Sequence, residues 1–140
     1  MNYLRLALAA LGGTVASFAV GFLVLWLAPA LFEEARKYPA VFRREEEMMA
    51  VMPFAMLATL VAAFVLAVLF AMTYRSGSRV TTGARLGILM GVLAVCNVLH
   101  NYVNFNIGMK LAVGQAAAYL VQWTVVGIVV GLIYRPSATP

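Results

Sequence analysis

The apolar positions of this chain neither alternate nor fall into narrow helical stripes. They run almost unbroken over four stretches, approximately residues 6–32, 48–73, 86–104 and 111–134, and the charged residues stand between them. Each stretch comes close to the ~20 residues that a helix needs to cross a hydrocarbon layer of about 30 Å. The pattern predicts an all-α, polytopic integral membrane protein. Residues 1–140 form one membrane domain, folded as a four-transmembrane-helix bundle.

The widest polar interruption, residues 33–47, lies within "WLAPALFEEARKYPAVFRREEEMMAVMPF". Trp26 is an interface anchor, and Pro39 suits the start of a helix. Residues 40–53 then read as a short interfacial amphipathic segment before the second span. Phe42, Met49 and Met52 lie on lipid, while Arg43, Arg44 and Glu45 to Glu47 face water. Pro53 bends the chain where this segment enters the membrane. Such a charge run serves either as a solvated loop or as a docking surface for another protein.

Composition fits the same class. Hydrophobic residues make up 64% of the chain and charged residues 11%, with a mean hydropathy of +0.95. Soluble domains carry roughly a quarter charged residues, so a water-facing surface cannot be assembled from this inventory. Arg5, the following apolar run and Ala28-Pro29-Ala30 resemble a cleavable secretory signal, but the run is longer than the ~7–15 residues of a signal core. The expectation is an uncleaved first span.

Four spans put both termini on one side, together with the connection that carries Arg75, Arg79 and Arg85. Lys and Arg counts tie across the two sides, so the positive-inside rule alone does not choose between them. Arg5, Arg75, Arg79, Arg85 and Arg135 have no acid nearby, whereas Glu33, Glu34 and Glu45 to Glu47 sit among Arg36, Lys37, Arg43, Arg44 and Lys110. The net charge of +5 therefore gathers on one face. That suits an anionic leaflet, places both termini in the cytoplasm, and does not form a nucleic-acid surface.

Small residues recur at helical spacing within the apolar runs. Gly83, Gly87 and Gly91 fall on one stripe of the third span, since residues four apart are neighbours on a helix. The first span offers Ala9, Gly13, Ser17 and Gly21, the second Ala63, Ala67 and Ala71, and the fourth Gly127 and Gly131. Without a hydrophobic drive between helices in lipid, close backbone approach through small residues takes its place. Seams on every span predict a tight bundle.

Amides continue the third span's stripe. At about 100° per residue, Asn97, Asn101 and Asn104 extend the arc of the glycines, with His100 at its edge. A short hairpin makes the third and fourth spans antiparallel, bringing Gln115 level with Asn97 to Asn101 and Gln122 further along. These side chains act either as interhelical glue, worth about 0.6 kcal/mol per bond, or as the lining of a polar cavity or relay. His100 lacks the further ligands that a zinc site needs, and a haem axial role has no second supporting feature. Its imidazole titrates near neutrality, which leaves a proton-responsive role open. Cys96, the single thiol, forms no intrachain disulfide.

No Asp occurs in the chain, and there is no phosphate cradle, nucleophile elbow, HExxH or CxxC. The expectation is a protein that is not an enzyme and carries no cofactor or metal. Trp26, Pro29 and Phe32 form W-x-x-P-x-x-F at the end of the first span, and "NVLHNY" places Asn101-Tyr102 late in the third. In these motifs the chain resembles an uncharacterised group of small bacterial four-span membrane proteins. The resemblance covers most of the chain, with a longer charged stretch at residues 33–50. It implies a bacterial inner-membrane location and a four-span fold, and nothing catalytic.

Two functions fit these residues. One is a non-catalytic accessory or structural subunit, homo-oligomeric or attached to a larger membrane complex, with lipid and helices as its partners. Its basis is an excess of small-residue seams, the fourth span carrying a glutamine face and a Gly127/Gly131 face roughly opposite. The alternative is a small-solute channel or carrier lined by Asn97, His100, Asn101, Gln115 and Gln122.

Overall fold

The computed structural model describes residues 2–135. Among them are five helices and no strand: α1 (Tyr3–Leu27), α2 (Pro29–Arg36), α3 (Glu45–Thr73), α4 (Arg79–Asn104) and α5 (Met109–Ile133). All but α2 are long and apolar enough to cross a membrane.

Local chemistry sets the boundaries. The Asn2 side chain caps α1 by accepting from the Arg5 backbone N–H at 3.1 Å, and the Ser78 hydroxyl caps α4 by accepting from Thr81 at 3.3 Å. These bonds satisfy donors that have no partner within the helix. At the end of α1, Ala28 leaves helical geometry, and Pro29 then opens α2, where its missing N–H costs nothing. Gly77, at φ +90°, makes the α3–α4 turn, a backbone conformation that only glycine adopts cheaply. The Tyr74 hydroxyl closes that turn by donating to the Gly77 carbonyl at 2.8 Å.

The segment expected at residues 40–53 is different in the structure. Residues 37–44 are not helical, and α3 starts at Glu45 and runs through Pro53 without a break. Three glutamates in the first turn suit that start, because carboxylates favour the positive end of a helix. The short amphipathic helix before the second long one is instead α2, placed upstream by Pro29.

The helix α5 touches each of the other four. The helix α4 runs antiparallel to it: Gly83, Gly87 and Gly91 meet Gly127, Trp123 and Leu120 in descending order. One core joins α1, α3 and α5 through Leu6, Ala9, Ala63, Leu66, Phe70 and Val130. Phe70 stacks on Tyr74 at 5.4 Å and meets Tyr134 edge-on at 5.9 Å. This core lies toward the end that holds the start of α1, the end of α5 and the α3–α4 turn.

A second, smaller core lies at the opposite end, where Val98, Ile107, Leu111 and Ala112 pack under Ala35, Tyr38 and Phe42. In α3 none of residues 45–62 is buried, so its N-terminal half contributes to neither core. Large apolar side chains there and on α1 point outward, among them Phe22 (68% exposed), Trp26 (79%) and Phe54 (73%). An unbroken apolar exterior of this kind is foreign to a water-soluble monomer.

Candidate functional site

The closest helix contact is between α4 and α5, and glycine makes it. A Cβ on Gly83 would fall on the Gly127 carbonyl oxygen, one on Gly87 on that of Trp123, and one on Gly131 on that of Arg79. At Gly91 it would meet Leu120 Cδ1 at 2.9 Å. The backbones are in contact, so any side chain would have to push them apart.

On α1, Gly13 sits against Val126, Ala63 and Val130, with the nearest atom 3.2 Å from its would-be Cβ. Ala63 and Ala67 are fully buried, and Ala71 packs at the edge of the same core. A Cβ on Gly21 would meet nothing within 4 Å, so no close approach requires glycine there. Gly127 and Gly131 are used up against α4, so α5 presents no spare glycine face. That removes the excess of seams as a ground for oligomerisation.

The polar residues separate into three groups. Gln122 donates from Nε2 to the Ser17 hydroxyl at 2.7 Å and to the Ser17 carbonyl at 3.1 Å. It ties α5 to α1, and Ser17 is the one buried polar side chain among the described residues. Asn101 donates to Asn97 Oδ1 at 3.2 Å, and Asn104 donates to the His100 carbonyl at 2.8 Å. Both bonds stay within α4. The interhelical bonding expected of these asparagines is not made, because their arc begins where the glycine stripe leaves the α5 contact. Asn97, His100 and Asn104 are exposed and Asn101 half-exposed. Cys96 is exposed beside them.

Gln115 belongs to the third group. Together with Asn97 and Asn101 it lines a cavity of about 360 Å³, walled by Phe42, Tyr119 and Trp123. Asn97 lies seven residues before the end of α4, about 10 Å along it, and Gln115 six residues into α5, about 9 Å. The expected alignment of these levels is therefore present, in a pocket at one end rather than along a seam. His100, Asn104 and Gln122 do not line it.

A larger cavity of about 590 Å³ lies on the other side of Phe42 and Gln115. It exists because α2 leans over α5 instead of continuing α1. Leu31 of α2 rests on Gly114, where a Cβ would collide with it, and the Tyr38 hydroxyl lies 2.6 Å from where a Gly108 Cβ would stand. The charged loop beyond is laced by Arg36–Glu45, by Lys37–Glu34 at 2.7 Å and by Arg44–Glu47 at 3.8 Å. The Lys37 ammonium hydrogen-bonds the Glu34 carboxylate, holding it below its ordinary value of 4.5. The same bond raises Lys37 above 10.5. Among the described residues no three His, Cys, Asp or Glu side chains gather to hold a metal ion.

A family described as "Protein of unknown function (DUF1761)" matches residues 8–131, from the early turns of α1 to the last turns of α5. The chain belongs to this family. No curated protein and no solved structure matches it.

In this DUF1761 chain the contacts that sequence spacing does not reveal are the long-range ones. Gly114 under Leu31, Gly108 under Tyr38 and Gly12 under Ile133 lie outside the stripes that spacing singled out on the first and fourth spans. Only the fold pairs them with a large side chain. Ser17 and Gln122, 105 residues apart, were separately legible, Ser17 as a small residue of the first span's stripe and Gln122 as a polar group, but not as partners.

Proposed function

We propose that this DUF1761 chain is a non-catalytic integral membrane subunit of the bacterial inner membrane. It works by seating the amide edge of α4 against a transmembrane helix of a second copy or of a larger complex. One observation carries this: Asn97, His100, Asn101 and Asn104 stand on one edge of an apolar helix, and among the described residues the three amides hydrogen-bond only within that helix. Amides in hydrocarbon favour a partner helix, and such groups bond across helix pairs. The four long apolar helices and the apolar exterior support insertion. Arg5, Arg75, Arg79, Arg85 and Arg135, without acids beside them, support cytoplasmic termini.

The test is the native mass of protein extracted gently from its own membrane. A particle well above one 15.1 kDa chain, reduced by Asn97→Leu with Asn101→Leu, is expected. A bare monomer with no co-purifying polypeptide overturns the proposal.

A second function, a small-solute carrier, draws on the cavity that joins Asn97, Asn101 and Gln115. It requires solute flux into proteoliposomes that Asn101→Leu abolishes. Unchanged flux removes it.

A further inference from the structure

The larger cavity combines two chemistries at two depths. Its inner wall is largely apolar, with Val24 and Leu25 from the end of α1 and Leu111 and Ala118 from α5, and Gln115 the one polar side chain among them. Ala118 is nine residues into α5, so this wall descends about 14 Å along the helix. Its mouth is charged and is formed by Arg36, Arg43, Arg44, Glu45 and Glu46. A volume of about 590 Å³ is ordinary for a small-molecule pocket.

The charges at the mouth are not all neutralised by one another. Arg36 is paired with Glu45, and Arg44 leans on Glu47. Among the described residues Arg43 has no carboxylate within ion-pair distance, and Glu46 has no cation. One free guanidinium and one free carboxylate therefore sit over a largely apolar shaft. A guanidinium is suited to the paired oxygens of a phosphodiester, and a carboxylate accepts from an ammonium N–H. An anionic head would satisfy Arg43 and be repelled by Glu46. A quaternary ammonium would bring charge but no N–H donor.

We infer that this cavity binds one phospholipid whose head carries a phosphate and a primary ammonium, the phosphate on Arg43, the ammonium on Glu46 and an acyl chain along Leu25, Leu111 and Ala118. The site stands apart from the α4 edge and does not depend on how that edge is used.

The experiment uses the purified full chain in micelles doped with phosphatidylethanolamine, phosphatidylcholine or phosphatidylglycerol of identical acyl chains. Bound lipid per chain is counted by native mass spectrometry. One phosphatidylethanolamine per chain is expected, retained about threefold better than phosphatidylcholine, the scale of one exposed ionic contact. Glu46→Gln brings the two to parity, and Arg43→Gln lowers retention of both about threefold. Glu33→Gln, a carboxylate outside the cavity, leaves the preference intact. All three positions are exposed, and circular dichroism checks that the helices persist. Equal retention of the three lipids by the unaltered chain, preference for phosphatidylglycerol, or a preference that survives Glu46→Gln overturns the assignment.

Discussion

At Gly87 a single hydrogen atom separates two helix backbones: a Cβ there would occupy the space of the Trp123 carbonyl oxygen. Backbone cannot yield as a flexible side chain can, so Gly87→Leu must separate α4 from α5. The expected cost is about 3 kcal/mol, at the upper end of overpacking effects, read as a fall in unfolding midpoint in mild detergent. Gly21 is the internal control. With nothing within 4 Å of its would-be side chain, Gly21→Ala is expected to stabilise α1 by up to about 1 kcal/mol through helix propensity alone. Both residues belong to the same class of repeat, and only their neighbours separate the two outcomes. The Ser17–Gln122 bond is the polar counterpart. A double-mutant cycle with Ser17→Ala and Gln122→Leu is expected to give a coupling of about 0.6 kcal/mol, and a coupling of zero would deny that the bond ties α1 to α5.

At the scale of elements, α2 is the piece whose position decides the site. It is short, exposed along much of its length, and held by Leu31 on Gly114 and Tyr38 over Gly108, while the Glu34–Lys37 pair closes its own last turn. The pair makes the stability of that turn pH-dependent at both extremes. Glu34 is held below its ordinary 4.5, so its contribution is present above that value and lost as pH falls through the lowered one. Lys37 is raised above 10.5, so its contribution is present below that value and lost as pH rises through the raised one. Amide hydrogen exchange over residues 29–38, compared between the unaltered chain and Glu34→Gln, checks this. Near neutrality the variant is expected to exchange faster by a small factor, because the pair is exposed and screened. Well below the ordinary carboxylate range the two should coincide.

At the scale of the whole molecule, the charge asymmetry and the even number of long helices make one prediction about topology. In a Cys96→Ser background, a cysteine at Ser76 is expected to be labelled by an impermeant reagent from the same side as the N-terminus. A cysteine at Asn106 is expected to be labelled from the opposite side. Labelling of both from one side would end the four-span arrangement. The same scale explains why the cavities lie where they do. The main core is concentrated around Leu66, Phe70 and Val130, toward the termini, while α3 buries nothing before Ala63. The opposite end is left open enough for α2 and Phe42 to wall off two pockets.

The existence of four long apolar helices and the stripe Gly83, Gly87, Gly91 were legible in the sequence, because hydropathy and a spacing of four are properties of local segments. Tertiary structure alone decided which small residues are used. Gly13 and Gly21 look alike along α1, but only at Gly13 would a side chain press on another helix. It also decided that Asn97 and Asn101 flank a contact instead of crossing it. Pro29 starts a separate helix while Pro53 stays within one. Periodicity specifies a face, and only the arrangement of the other helices says what that face will touch.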